Sequence, residues 1–247
     1  MNTKLVFRQR LRRTLILTSL LLFPLTINYL SPYLIIDGAA QGIVNGSFIL
    51  FTLLFLSSLF LGRSWCSWIC PGGGLGEACF YITDKKVSQK GNWIKWLIWI
   101  PWMGFIIFLF ISAGGILQIK PFYMMENYIS IDRPEGFIIY YFVVILIALL
   151  SLTLGRRAFC HYACWMAPFL IIGRKLRNFL GFPALKIASK EEKCIDCKLC
   201  TRNCPMSLDV NALVHKTSME HSECILCGNC VDTCPHDVIH YGFSKGK

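Results

Sequence analysis

One cysteine spacing governs what this chain can fold into, and it occurs twice. Residues 194–205 read Cys194-x-x-Cys197-x-x-Cys200-x-x-x-Cys204-Pro205, and residues 224–235 repeat it as Cys224-x-x-Cys227-x-x-Cys230-x-x-x-Cys234-Pro235. A cubane [4Fe–4S] cage is held by four thiolates; a tight loop at this spacing supplies three, and the fourth comes from a distant turn. Zinc ribbons also use Cys-x-x-Cys pairs, but without a third cysteine at the same interval and a Cys-Pro behind it. A disulfide framework needs an oxidising compartment, whereas the topology argued below puts these residues in the cytosol.

Residues 190–242 resemble the bacterial two-cluster ferredoxin module, a small α+β fold. In such modules the fourth cysteine of each run serves the other cluster. The resemblance implies that Cys194, Cys197, Cys200 and Cys234 hold one [4Fe–4S] cluster, and that Cys224, Cys227, Cys230 and Cys204 hold a second.

The 247 residues leave room for one membrane domain beside that module, and a hydrophobic content of 55% is too high for an ordinary soluble domain. The net charge of +11 invites a nucleic-acid reading. Its distribution argues against one. Residues 190–247 carry seven Lys or Arg against eight Asp or Glu, so the basic excess lies in residues 1–189, where it flanks apolar runs. That is the pattern of membrane topology signals.

Four apolar runs follow in order: Leu15 to Ile36, Ile43 to Leu61, Trp93 to Ser112 and Phe137 to Leu154. Each approaches the roughly 20 residues that cross a bilayer core. Arg12-Arg13-Thr14-Leu15 slightly resembles a twin-arginine export signal, but the run behind it is long enough to span, so an uncleaved first helix is expected. Basic residues gather at the amino end (Lys4, Arg8, Arg10, Arg12, Arg13), between the second and third runs (Arg63, Lys85, Lys86, Lys90) and after the fourth (Arg156, Arg157, Arg174, Lys175, Arg177). The other two connections hold only Lys120 and Arg133. The positive-inside rule then predicts a multi-pass protein of the cytoplasmic membrane, with the amino terminus and the ferredoxin module cytosolic. The runs lack the ionisable relays of pumps, and they contain no histidine to hold a haem. Trp93, Trp96, Trp99 and Trp102 form one helical stripe, an interfacial anchor or a surface for a quinone or partner helix. The outer segment Gln118 to Arg133, with Tyr123, Met124, Met125 and Tyr128, is a candidate partner surface or plain interfacial packing.

An internal repeat links the two halves of the membrane region. Leu61-Gly62-Arg63-Ser64-Trp65-Cys66-Ser67-Trp68-Ile69-Cys70-Pro71 and Leu154-Gly155-Arg156-Arg157-Ala158-Phe159-Cys160-His161-Tyr162-Ala163-Cys164 share Leu-Gly-Arg and an aromatic-Cys-x-aromatic-x-Cys. Two tandem hairpins are predicted, each ending in a Cys-x-x-x-Cys pair whose thiols share one helix face. Packed together, Cys66, Cys70, Cys160 and Cys164 would present four thiols at one depth, for a third iron–sulfur cluster or for redox thiol chemistry; buried cysteines also serve simply as small apolar residues. Cys79 has no partner by spacing and reads as structural. The glycines of Pro71 to Glu77 lack the strand–loop–helix context of a phosphate loop and predict a short helix through Tyr81. Arg174-Lys175-x-Arg177 beside Phe179 and Leu180 predicts an amphipathic segment on anionic lipid.

Taken together, residues 10–240 resemble the membrane polyferredoxins typified by the NapH quinol-dehydrogenase component of periplasmic nitrate reduction, and the carboxy-terminal region of NosR-type proteins. Cys66, Cys70 and Pro71 match the first family motif. In the second, Cys160 and Cys164 are followed by Trp165-Met166-Ala167-Pro168, with the proline displaced. The resemblance implies an all-α four-helix membrane domain (1–180), a linker (181–189) and the two-cluster domain (190–242). It implies electron transfer between the quinone pool, or a membrane or extracytoplasmic redox partner protein, and cytosolic clusters. No residue is expected to act as acid, base or nucleophile, so an electron-transfer subunit is expected rather than a stand-alone catalyst. A redox- or iron-responsive accessory or maturation protein is the alternative, and a simple membrane tether for the ferredoxin module is a third reading.

Overall fold

The computed structural model describes residues 3–125, 129–131, 136–216 and 218–245. Prolines and glycines set its bends. Helix α1 (Thr3–Leu21) stops before Pro24, α2 (Phe23–Thr26) passes into a 3-10 turn over Ile27–Leu30, and α3 (Pro32–Ala40) starts afresh at a second proline. Ser31 caps α3 by accepting from the Leu34 N–H. The expected first span is therefore not one helix: its two apolar pieces, Phe7–Leu21 and Phe23–Leu30, meet at 65°.

Strand β1 (Ile43–Asn45) leads into α4 (Gly46–Leu61), whose first turn Asn45 caps. The short helices α5 (Trp65–Trp68) and α6 (Pro71–Ala78) precede α7 (Ile94–Ser112). Strand β2 (Gln118–Lys120) pairs in parallel with β1, which draws the outer segment back onto the bundle. Tyr123 donates to Asp37 at 2.7 Å in the same region, while Tyr128 and Arg133 lie outside the described residues. Then come α8 (Gly136–Leu154), α9 (Ala158–Tyr162) and α10 (Ala167–Leu180).

Among the described residues two helices, Gln89–Ser112 and Gly136–Leu154, are long and apolar enough to cross a membrane, and the bent pair, counted as one span, brings the number to three. Helix α4, at 16 residues, is shorter than a span usually needs. The long helices turn large apolar side chains outward, among them Ile100, Phe108, Ile138 and Phe142. The tryptophan stripe faces inward over part of its length: Trp99 and Trp102 stack edge-on against Phe169 of α10, and Trp102 also meets Phe51 of α4. That is packing between helices.

The repeated Leu-Gly-Arg ends α4 and α8 in the same way. Gly62 and Gly155 take φ of +55° and +117°, positive values that favour glycine because it has no Cβ to clash. Each glycine turns its helix into a cysteine-bearing loop.

The cysteine-rich half is small and α+β. Strand β3 (Pro183–Ser189) pairs antiparallel with β4 (Ile239–Lys245), in register from Pro183 with Lys245 to Ser189 with Ile239. Helices α11 (Leu199–Arg202), α12 (Val210–Val214) and α13 (Asn229–Asp232) lie between them. Residues 183–189, expected within a linker, are thus part of the ferredoxin sheet. Ala184 and Ile187 of this strand are buried.

Candidate iron–sulfur sites

Each cysteine run makes the same loop. The residue two after the first cysteine is left-handed in both runs (Asp196, φ +55°; Leu226, φ +53°), as is the residue after the second cysteine (Lys198, +57°; Gly228, +78°) and the third residue past the last (Ser207, +53°; Asp237, +49°). Such turns aim successive backbone N–H groups at one centre, which suits an anionic sulfur cage. One cavity is lined by Cys194, Cys197, Cys200 and Cys234, with Asn211 and Val238. A second is lined by Cys204, Cys224, Cys227 and Cys230, with Met206 and Ile225. Each therefore gathers three cysteines of one run and the last cysteine of the other.

The two cavities differ in exposure. Three cysteines of the first are half-buried; three of the second are buried. Burial pushes the Cys204 thiol up to about 12 and Cys227 up to about 11, so a cation must supply the thiolate state there. Among the described residues no three cysteine sulfurs lie within 4.8 Å of one another. One tetrahedral zinc at about 2.3 Å from each sulfur brings them to roughly 3.8 Å. The wider spacing fits a cubane cage instead. The one tighter group, Cys194 with Asp196 and His215, shares its cysteine with the first cavity.

The four remaining paired cysteines also come together. Cys66, Cys70, Cys160 and Cys164 are buried and line one cavity of about 230 Å³, together with Arg63, Phe23, Tyr33, Phe142 and Trp165. Neither pair lies on a continuous helix, contrary to expectation. Cys66 sits in α5 and Cys160 in α9, but Cys70 is extended (φ −63°, ψ +119°) because Pro71 follows it, and Cys164 lies in the turn before α10.

This cavity is surrounded by buried charge. Arg63 and Lys95 share Glu223, at 2.8 and 2.6 Å, and Arg12 and Arg157 share Glu77, at 2.8 and 2.6 Å. Burial alone would raise both carboxyls; the cations outweigh it, holding Glu77 below its usual range and Glu223 down to about 2. Four cations against two carboxylates leave two positive charges. Arg63 Nε and Nη2 and Arg157 Nε are buried donors without a hydrogen-bond partner. Burial drives Cys164 up to about 12 and Cys70 well above the usual thiol value. A surplus of buried cations and orphaned donors around four thiols fits a dianionic [4Fe–4S] thiolate cluster, which neutral thiols or a disulfide would leave uncompensated.

The second ferredoxin cavity abuts this region. Gln9 donates to the Cys227 carbonyl at 3.0 Å, Arg156 to that of Cys204 at 3.1 Å and Arg174 to that of Cys224 at 3.2 Å. Ser67, the neighbour of Cys66, donates to the Ile225 carbonyl at 2.7 Å. Arg157 donates to the Cys66 carbonyl at 2.8 Å, and its charge is felt by Cys160, Cys66 and Cys227 alike.

Sequence reasoning missed Glu77, Lys95, Glu220 and Glu223. Pairs 43 to 160 residues apart leave no local signal. Arg174 and Arg177 were expected on lipid. Both are buried on Glu220, and only Lys175, Leu176, Phe179 and Leu180 of that segment face outward. Cys79 is buried and lines none of the three cavities. The glycine-rich stretch forms α6 and a 3-10 turn through Tyr81; a Cβ on Gly73 would lie 2.5 Å from the Cys66 carbonyl oxygen.

Comparison with known proteins supports these assignments at the level of domains. A family described as a 4Fe-4S dicluster domain matches residues 193–239, and one described as a 4Fe-4S binding domain matches twice, at 46–90 and 136–183. The double match falls on the two hairpin ends. YccM of Escherichia coli (strain K12), named as an electron transport protein, is 25% identical over 213 residues, covering 82% of this chain and 57% of its own length. The methylamine utilization ferredoxin-type protein MauN of Paracoccus denitrificans (strain Pd 1222) is 23% identical over 81% of this chain and 68% of its own. NADH-quinone oxidoreductase subunit I 2 of Geobacter metallireducens (strain ATCC 53774) is 32% identical over 71 residues, 25% of this chain and 54% of its own. The chain thus spans little more than half of YccM. No solved structure matches. The chain contains ferredoxin-type 4Fe–4S domains, and these matches support iron–sulfur electron transfer.

Proposed function

We propose that this chain is an integral membrane electron carrier of the NapH and NosR type, passing electrons between a quinone or a membrane redox partner and the cytosolic end of a cysteine-lined series. The observation that carries this reading is the contact between the four-cysteine cavity and the buried ferredoxin cavity through Ser67, Arg156 and Arg157. Bound [4Fe–4S] clusters supply one-electron acceptance and release, over about −700 to +450 mV depending on surroundings.

The residues divide the work. Cys66, Cys70, Cys160 and Cys164 bind at the membrane side. Cys204, Cys224, Cys227 and Cys230 bind next, and Cys194, Cys197, Cys200 and Cys234 bind furthest out, where half-exposed cysteines allow exchange with a soluble redox partner. Arg63 and Arg157 hold the inner site's negative charge. The aromatic cavity beside Cys66 and Cys160 offers a quinone ring an apolar seat next to that site. The reading includes four membrane crossings, counting α4 and the bent pair, with the ferredoxin half in the cytosol.

Iron and acid-labile sulfide per chain, with EPR, test this on anaerobically purified wild type and Cys66→Ser/Cys160→Ser. About twelve irons falling to eight support the three-site series. About eight, unchanged by the double substitution, remove the inner site. Failure of a quinol to reduce the wild-type centres removes the quinone step.

A further inference from the structure

A cavity of about 290 Å³ lies between α1, α6 and the turn after Cys204, apart from all three cysteine cavities. Its lining is basic. Arg12, Arg13 and Arg156 face it; Glu77, the only carboxylate among its described lining residues, is held by Arg12 and Arg157, and Arg156 is itself paired with Asp84, an exposed carboxylate outside the lining. Arg13 makes no hydrogen bond or ion pair among the described residues. A cation left free on a concave surface between other cations is a place for an anion.

The depth of the cavity says which kind. Arg156 comes two residues after Leu154, the end of the apolar α8, and Arg13 lies one turn before Leu17 on α1. Leu17 also lines the cavity. Beyond it the surface is apolar and exposed: Leu21 at 81%, Tyr81 at 87% and Ile82 at 77%. Lys85 and Lys86 are exposed near the same level, since the Arg156 N–H donates to the Lys85 carbonyl at 2.8 Å. Cations at the end of an apolar band mark the headgroup layer of a bilayer. A soluble phosphate would use the arginines but leave the adjoining leucines without a role.

We propose that this cavity binds the phosphate of an anionic glycerophospholipid, with Arg13 and Arg156 as its cations and Leu17 and Leu21 as the bed for an acyl chain. The inference rests on the membrane reading of α1 and α8. Arg156 also donates to the carbonyls of Arg202 and Cys204, at 2.8 and 3.1 Å. The lipid phosphate therefore sits against the side chain that holds the inner ferredoxin loop, and it helps dock the soluble half on the bilayer.

The test uses the full, cluster-loaded chain, delipidated in detergent, with native mass spectrometry of added lipid. Phosphatidylglycerol is expected to bind and phosphatidylcholine to bind weakly. Arg13→Gln, which removes no internal contact, is expected to weaken phosphatidylglycerol binding roughly five- to tenfold with cluster content unchanged. Equal binding of the two lipids, or an unaltered Arg13→Gln, overturns the proposal. Displacement of phosphatidylglycerol by millimolar inorganic phosphate overturns the lipid assignment in favour of a soluble anion. An alkaline carbonate wash of membranes separates the two levels. Release of the chain removes the membrane reading itself, whereas retention without lipid preference removes only this site.

Discussion

Lys95, in the first turn of an apolar helix, donates to Glu223, the residue before Cys224, at 2.6 Å, and both side chains are buried. Arg63 completes the group. Buried ion pairs seldom add much net stability, but removing one member leaves an uncompensated charge at about 3–5 kcal/mol. Glu223→Ala leaves two such cations. It should lower the apparent melting temperature sharply and expose β3 to protease, while Lys95→Met/Glu223→Gln should do markedly less harm. A Glu223→Ala protein that melts like wild type would show that the triad does not hold the halves together.

The charge around the inner site predicts the sign of a potential shift. Arg63 lines that cavity and is held charged, although burial opposes it, by Glu223 and the nearby Cys66. Removing a positive charge destabilises the reduced, more negative state. Arg63→Met should lower the midpoint potential of the inner site by on the order of 50–150 mV. Glu223→Gln should raise it. EPR-monitored titration reads both, and shifts of equal sign would refute the electrostatic account.

Two glycines should part company on substitution. A Cβ on Gly73 meets the Cys66 carbonyl oxygen at 2.5 Å and the Arg157 guanidinium at 3.1 Å, whereas nothing lies within 4 Å of one on Gly104. Gly73→Ala should cost about 1–3 kcal/mol through overpacking. Gly104→Ala, inside a helix, should leave stability equal or up to about 1 kcal/mol higher. Thermal unfolding in detergent checks the pair, and a Gly73→Ala protein as stable as Gly104→Ala would discard the close packing.

How much of this was legible in the sequence depends on the reach of each signal. The ferredoxin cysteines announce themselves because three cysteines of each cavity fall within seven residues. The Leu-Gly-Arg repeat is local too, and its glycines end two helices in the same way. The helix pairing of Cys66 with Cys70 misled, because Pro71 forces its neighbour out of helical torsions. The first span misled for a related reason: hydropathy ignores Pro24 and Pro32. The destination of Arg174 and Arg177 was unreadable, since Glu220 lies more than forty residues away and exerts no local pattern.

His215 supplies a pH dependence. Hydrogen bonds to Glu191, at 2.9 Å, and Asp196, at 2.7 Å, raise its pKa. A raised folded value gives stability that is complete below the unfolded value of about 6.5 and is lost as pH climbs through the folded one. Asp196 belongs to the outer cysteine loop. Chelator-driven bleaching of the outer cluster should therefore quicken from about pH 6.5 upward, and His215→Gln should flatten the profile. A wild-type rate that is level across that window would dismiss the tether.

The pairing of β3 with β4 has a consequence for engineering. Lys245 lies beside Pro183, just after α10, while the other end of the ribbon, Ser189 with Ile239, leads to the outer cysteines. Six residue steps separate the two ends, about 20 Å. Any continuation past Lys245, natural or fused, therefore starts well away from the outer cavity. A tag, a fluorophore or an electrode linker attached there would leave the outer cavity clear.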